Sequence, residues 1–170
     1  MKPLLIVDGY NIIGAWPEAA RNSWDFEESR EKLLHALRDY GGYAGCEIVL
    51  VFDGYLSDRR TTTEEDFPPV RQVYTRHAET ADSYIERLVA QTPRYRQVTV
   101  ATSDGLEQSQ VLSTGAVRMT ARELLRELRQ TREEGLRQQS LQRLQPGKNI
   151  ADHLPDDLRA QLERMRRGGA

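Results

Sequence analysis

The sequence predicts an α/β fold: a three-layer α/β/α sandwich with a central, mostly parallel sheet and a C-terminal helical extension. Three observations carry the core of that prediction. Short apolar runs alternate with amphipathic stretches along most of the 170 residues. The runs are rich in Leu, Ile and Val with little polar alternation, as in strands covered on both faces. Three of them end at or just before an aspartate, which would line acids along one edge of a parallel sheet.

The elements follow in chain order. Leu4–Val7 reads as a short buried strand that stops at Asp8-Gly9. Asp25 to Tyr40 carries Leu33, Leu34 and Leu37 among charges, a helical pattern, and Gly41-Gly42 is expected to end it. Ile48–Phe52 is a strong strand closed by Asp53-Gly54. Residues 55–69 read as a polar loop with a double proline, and Val70–Thr75 as a weaker strand. Ala81–Gln91 places Ile85, Leu88 and Val89 on one helical face. Val98–Thr102 is a strand, and SDGLEQSQVL opens another helix. A short last strand is expected at 115–119, then a helix from Thr120 to about Leu144, broken or strained near Gly135. Pro146-Gly147 separates a domain of residues 1–145 from a tail, 146–170, in which Leu158, Leu162 and Met165 share one side of a short helix.

Composition narrows the function. A chain that is 38% hydrophobic and 29% charged is ordinary for a soluble globular domain. The one cysteine, Cys46, excludes an internal disulfide framework and fits a reducing cytoplasm. No apolar run reaches the ~18 residues of a membrane span, and no signal-peptide pattern precedes Leu4, so the expected location is cytoplasmic. Residues 1–117 hold 12 basic and 18 acidic side chains, and residues 118–170 hold 12 and 8. The first part could gather cations and the second could approach phosphate, although a solvated helical face explains the second equally well.

The acids point to a cation. Asp8, Asp53 and Asp104 follow three strands, while Asp82 and Glu86, four apart, face the same way on one helix. Carboxylates converging on one crevice repel each other, and Mg²⁺, a hard ion with a preference for oxygen ligands, relieves the repulsion. Each acid also has a structural reading. Asp-Gly pairs make turns, Asp104 with Glu107 resembles a capping box, and Asp82 suits the first turn of a helix. Carboxylates at three strand ends plus a helix-borne pair are harder to explain as caps, which serine or threonine could supply. Asn11 offers an amide to a water or a phosphate oxygen, and Ser103 either orients a water or caps a helix. Arg59, Arg60, Arg71 and Arg76 bracket the polar loop and could contact phosphates, although a solvated loop explains them equally well. No Ser-His-Asp or Cys-His arrangement is visible. Tyr10 stands where a haloacid-dehalogenase-type phosphatase needs a second aspartate, and no G-x-G-x-x-G follows the first strand.

VDGYNIIGAW, VFDG, YTRHAETADSYIERL and VATSDGLEQ, in this order and spacing, resemble the YacP-like branch of the NYN-domain family within the PIN-like nucleases. The likeness runs from about Leu4 to about Leu128. It implies a divalent-metal endoribonuclease site, with Asp8, Asp82 and Asp104 as metal-site acids and Asn11 as companion amide. Asp53 matches the acid of the second strand. The implied cofactor is Mg²⁺ or Mn²⁺, and the implied chemistry is attack of water on phosphorus with departure of the 3′ oxygen. The branch is associated with cutting messenger RNA on translating ribosomes, so RNA and the ribosome are the implied partners. The alternative is a noncatalytic RNA- or ribosome-binding module that kept the fold.

Overall fold

The structure is a computed structural model that describes residues 1–102, 115–144 and 155–168. Its described residues fall into two compact units, Met1–Arg132 and Glu133–Ala170.

The first unit is built on six strands: β1 (Leu4–Asp8), β2 (Glu47–Phe52), β3 (Thr63–Phe67), β4 (Val70–Tyr74), β5 (Val98–Thr102) and β6 (Val117–Thr120). They lie in the order β3-β4-β2-β1-β5-β6. All neighbours are parallel except β3, which runs antiparallel to β4 at the edge. From β1 the chain first builds outward through β2, β3 and β4, then crosses back to place β5 on the other side of β1. The reversal leaves a crevice beyond the carboxyl ends of β1 and β5, the usual ligand position in open α/β sheets.

The β1 side chains alternate between two cores. Leu5 and Val7 join Ile12, Leu33, Leu37, Leu50 and Phe52 on one face, and Leu4 and Ile6 join Val49, Val51, Ile85, Val89 and Val100 on the other. Each fully buried aliphatic side chain contributes ~1.5–3 kcal/mol relative to exposure. Because β1 is buried at every position, the carboxylate that ends it is carried into the interior.

Helices cover both faces. Two short ones, α1 (Gly9–Gly14) and α2 (Pro17–Arg21), follow β1, and α3 (Phe26–Ala44) packs on the first core. The helix α4 (Ala81–Gln91) packs on the second. A capping box opens α5 (Ala121–Arg143): Glu123 N–H donates to Thr120 Oγ1 and Thr120 N–H to the Glu123 carboxylate. Its first turns bury Ala121, Leu124 and Leu128 in the first core.

The elements differ from expectation at four places. The helix predicted to end at Gly41-Gly42 continues to Ala44 and is capped by Gly45 in the left-handed region, φ 66°. Gly41 is needed for close packing instead, since a Cβ there would lie 2.6 Å from Pro69 Cγ. The polar loop contains β3, whose Thr-Glu-Glu-Asp composition hides it; charge on an edge strand discourages pairing with other chains. The long helix passes Gly135 unbroken, because flanking Glu, Leu, Arg and Gln offset the ~1 kcal/mol that glycine costs. The short helices α1 and α2 carry too few residues for a periodic signal.

The second unit takes in the end of α5, followed by α6 (Asp156–Arg167), which starts on acids and ends on arginines, as the helix dipole favours. The expected stripe of Leu158, Leu162 and Met165 is present and exposed. The helix expected from Ser103 lies outside the described residues.

Candidate functional site

Asp8 is placed by two strand neighbours and one helix. It pairs in register with Val51 of β2, while Val7 lies beside Ala101 of β5. It is 5% exposed. It also caps α1: Oδ1 accepts from Asn11 N–H at 3.4 Å and Oδ2 from the Asn11 side-chain amide at 2.8 Å. The same amide donates to Thr102 Oγ1 at 3.2 Å. Asn11 therefore ties the ends of β1 and β5 together, at the point where the chain leaves for Ser103 and Asp104. Both of those expected site residues lie outside the described residues. Thr102, which sequence reasoning passed over, is a buried member of this junction. Its only signal was its place in the TSD stretch.

Burial sets the electrostatics. The Asp8 carboxyl is pushed up to about 6, chiefly by loss of solvent, with repulsion from Asp82 and Asp53 adding to it and the Asn11 hydrogen bonds opposing it. Asp53 and Asp82 are thus both close enough to Asp8 to raise its carboxyl.

The three acids have different surroundings. Both oxygens of Asp53 are engaged by backbone: Tyr55 N–H donates to Oδ1 at 2.7 Å and Ala81 N–H to Oδ2 at 3.3 Å. In this way Asp53 docks the start of α4 onto the end of β2. Asp82, in the first turn of α4, is half-buried and makes no hydrogen bond or ion pair among the described residues. Glu86 is exposed one turn further along and is not among the groups that act on Asp8. Asp8 and Asp53, read from sequence as Asp-Gly turn residues, instead hold the backbone N–H groups of α1 and of the start of α4, and Asp82 occupies the first helical turn as expected.

Two glycines make these strand ends possible. A Cβ on Gly9 would lie 2.3 Å from the buried Phe52 ring, and one on Gly54 would lie 1.8 Å from the Thr75 carbonyl oxygen. Gly54 N–H donates to Thr75 Oγ1 at 2.7 Å, and that hydroxyl donates to the Glu79 carbonyl at 2.7 Å. The Asp-Gly dipeptides are therefore close-packing sites, not only turns.

Beyond Asp53 the sign of the charge changes. A cavity of about 860 Å³ opens between the loop after β2 and the segment before α4, with Arg59, Arg60, Arg76, His77 and Ser83 in its wall. Its two sides are laced together. His77 N–H donates to the Arg59 carbonyl at 2.8 Å, and His77 Nδ1 to the Ser57 carbonyl at 2.6 Å. Buried Glu79 pairs with Arg87 and, at 3.7 Å, with Arg76. Arg60 is exposed and has no partner among the described residues. Arg71 lies on β4, paired with Glu64 at 3.8 Å and outside the cavity wall.

The chemistry of the donors suits a hard divalent ion: Asp8 is buried and costly to ionise without a cation, and two further carboxylates lie near enough to repel it. Among the described residues no group of three or more His, Cys, Asp or Glu closes around a metal position. Cys46 is buried in the first core, away from the carboxylates. No helix among the described residues is long and apolar enough to cross a membrane.

Comparison with known proteins places this geometry. Uncharacterized protein YacP of Bacillus subtilis (strain 168) is 40% identical over 130 residues, 74% of each chain. A crystal structure of a single-substitution mutant of Rae1 (YacP) from Bacillus subtilis superposes with a TM-score of 0.71 at 34% identity, covering 88% of both chains. A second Rae1 (YacP) crystal structure from Bacillus subtilis gives 0.67 at 35% identity, covering 99% of this chain and 96% of that one. The family model described as the YacP-like NYN domain matches residues 5–167, so it reaches beyond the sheet and to the end of α6. With the family model, the sequence identity and the matching sheet all in agreement, this chain belongs to the YacP-like NYN domain family, which supports a nuclease-type, RNA-related function.

Proposed function

We propose that this protein is a divalent-metal-dependent endoribonuclease that hydrolyses RNA phosphodiester bonds, with messenger RNA on translating ribosomes as its substrate. The observation that carries the reading is buried Asp8 at the switch point of the sheet, its carboxyl raised by the half-buried Asp82 and Asp53 nearby. Asp8 and Asp82 would hold Mg²⁺ or Mn²⁺, with Asp104 as the third acid. Such an ion, when bound, stabilises charge on phosphoryl oxygens and makes water acidic enough to attack at neutral pH.

The chain's own residues do the positioning. Asn11 holds the Asp8 carboxylate in one orientation and fixes it to Thr102 at the end of β5. Ser103, next in the chain, is a candidate to orient the attacking water. Asp53, already engaged by two backbone N–H groups, aligns α4 and so positions Asp82. Water adds to phosphorus, the 3′ oxygen leaves as a hydroxyl, and no side chain acts as nucleophile. The acidic centre repels RNA, so phosphates outside the cleaved bond rest on Arg59, Arg60 and Arg76.

The test is cleavage of a messenger RNA, free and on ribosomes, with Mg²⁺ or Mn²⁺ and with EDTA. Asp8→Asn and Asp82→Asn are expected to abolish cutting while the fold persists. Cutting that survives EDTA would overturn the metal, and RNA binding without any cutting would select the noncatalytic module. Charge reversal at Arg59 and Arg60 should weaken RNA binding and its salt dependence without altering metal affinity.

A further inference from the structure

Beside the carboxylates, two aromatic rings are left open to solvent. Tyr10 follows Asp8 by two residues, and Phe26 is the first residue of α3. Their rings stack with centroids 4.9 Å and planes 24° apart. Both stand edge-on to Phe52, at 5.4 and 5.8 Å. Phe52 is wholly buried beneath Gly9, so the pair rests on a buried aromatic floor. Yet Tyr10 is 42% exposed and Phe26 39% exposed. Because the two rings are stacked on each other, what they expose is one joined aromatic patch and not two scattered side chains.

The surroundings indicate what would cover it. Phe52, which Tyr10 touches, directly precedes Asp53 and also stacks on Tyr74 with ring centres 5.4 Å apart. The Arg59 guanidinium sits 4.6 Å from the Tyr74 ring centre and forms part of the basic cavity wall. The stack thus adjoins the strand ends that carry Asp8 and Asp53 and is linked through Phe52 and Tyr74 to Arg59. An RNA strand passing from those acids to the arginines carries phosphates for the arginines and flat, uncharged bases for the rings. Every base has a π face, and each base stacked on an aromatic side chain is worth ~1–3 kcal/mol.

We propose that the Tyr10–Phe26 stack is a base-stacking subsite that holds the nucleobase beside the cleaved phosphodiester bond. The proposal rests on the endoribonuclease reading and deepens it. A base can extend the stack only if it is free of its neighbours, so the RNA is single-stranded at that position.

The experiment uses the full chain with Asp8→Asn, which binds without cutting, and a short single-stranded RNA carrying 2-aminopurine at successive positions. Quenching of its fluorescence at one position, lost in Tyr10→Leu together with about a tenfold weakening of binding, is the expected result. Tyr10→Phe and Tyr10→Trp should keep both signals. Leucine preserves apolar bulk but cannot stack, so a lowered melting temperature with unchanged quenching and affinity would show a purely structural role and overturn the proposal. Equal losses in Tyr10→Phe and Tyr10→Leu would assign the effect to the hydroxyl and overturn it too. The nuclease reading is judged separately, by cutting in the chain with Asp8 intact; a chain that stacks RNA on Tyr10 without cutting it would retain the subsite and lose the nuclease.

Discussion

Asp8 and Asp53 close neighbouring parallel strands, and each is followed by glycine, yet their carboxylates live in different media. Asp8 ends the central strand, covered by the side chains of both cores, and stays buried with Asn11 as its hydrogen-bond partner. Asp53 ends the next strand and is half-buried, with both oxygens satisfied by backbone N–H groups. The difference teaches that sheet position assigns the role. A half-buried carboxylate that ties two backbone segments together orders the chain around it as a brace, while a buried one repelled by its neighbours has reason to take a cation.

The largest expected effect separates the two directly. Asp8→Asn should lower RNA cleavage by about 1,000-fold or more, whereas Asp53→Asn, acting through the placement of α4, should cost only about tenfold. Equal losses in a single-turnover assay would break the distinction between ligand and brace.

The glycines come next. In Gly54→Ala the new methyl meets a backbone carbonyl, which moves only with β4's continuation, so a loss of about 3 kcal/mol or more is expected. Gly9→Ala meets the Phe52 ring, which can tilt, and should cost ~1–3 kcal/mol. Chemical denaturation of the two variants ranks them.

The third prediction concerns pH. The folded-state value of Asp8 is raised from 3.8 to about 6, so between those pH values the native state holds a proton that the unfolded chain has released. Stability therefore falls as pH rises through that window, by about 3 kcal/mol in total, and stays lower above it. Asp8→Asn should flatten this part of the profile and raise the melting temperature at pH 7. Mg²⁺ or Mn²⁺ competes with that proton. At a hundred times its dissociation constant the ion should add about 2.7 kcal/mol at pH 7 and less at pH 5. A thermal shift that survives in Asp8→Asn would place the ion elsewhere.

The smallest effect is on the brace itself. Asp53→Asn keeps one acceptor oxygen, so about 1 kcal/mol of capping stability should be lost. The Asp8 carboxyl should also move back toward its ordinary range, because one repelling charge is gone. A titration followed by NMR reads both; an unmoved Asp8 would mean that the two strand ends are electrically independent.

Much of this was legible in residue order. Apolar runs of four to six residues between amphipathic segments specified a parallel sheet, and parallel strands bring their ends to one edge without further information. The likeness carried by VDGYN, VFDG and TADSYIE located Asp8, Asn11, Asp53 and Asp82 in one region, and the structure brings Asp53 and Asp82 within reach of Asp8. What escaped had no local signal. The edge strand Thr63–Phe67 is spelled in charges because its surface faces water. Thr102 matters through Asn11, which is distant in sequence, and Glu79, just before α4, through its burial beside Arg87. Gly41 looked like a helix stop and proved to be a contact with Pro69.

By itself, then, the sequence determined the element types, the parallel sheet and the row of strand-end carboxylates, because those follow from hydrophobic period and strand direction. Only the tertiary structure decided which carboxylate is desolvated, which is a brace, and which aromatic rings stay open beside them. Burial, field and close packing are properties of neighbours in space, and residues 8, 53 and 82 become neighbours only when β1, β2 and α4 have packed together.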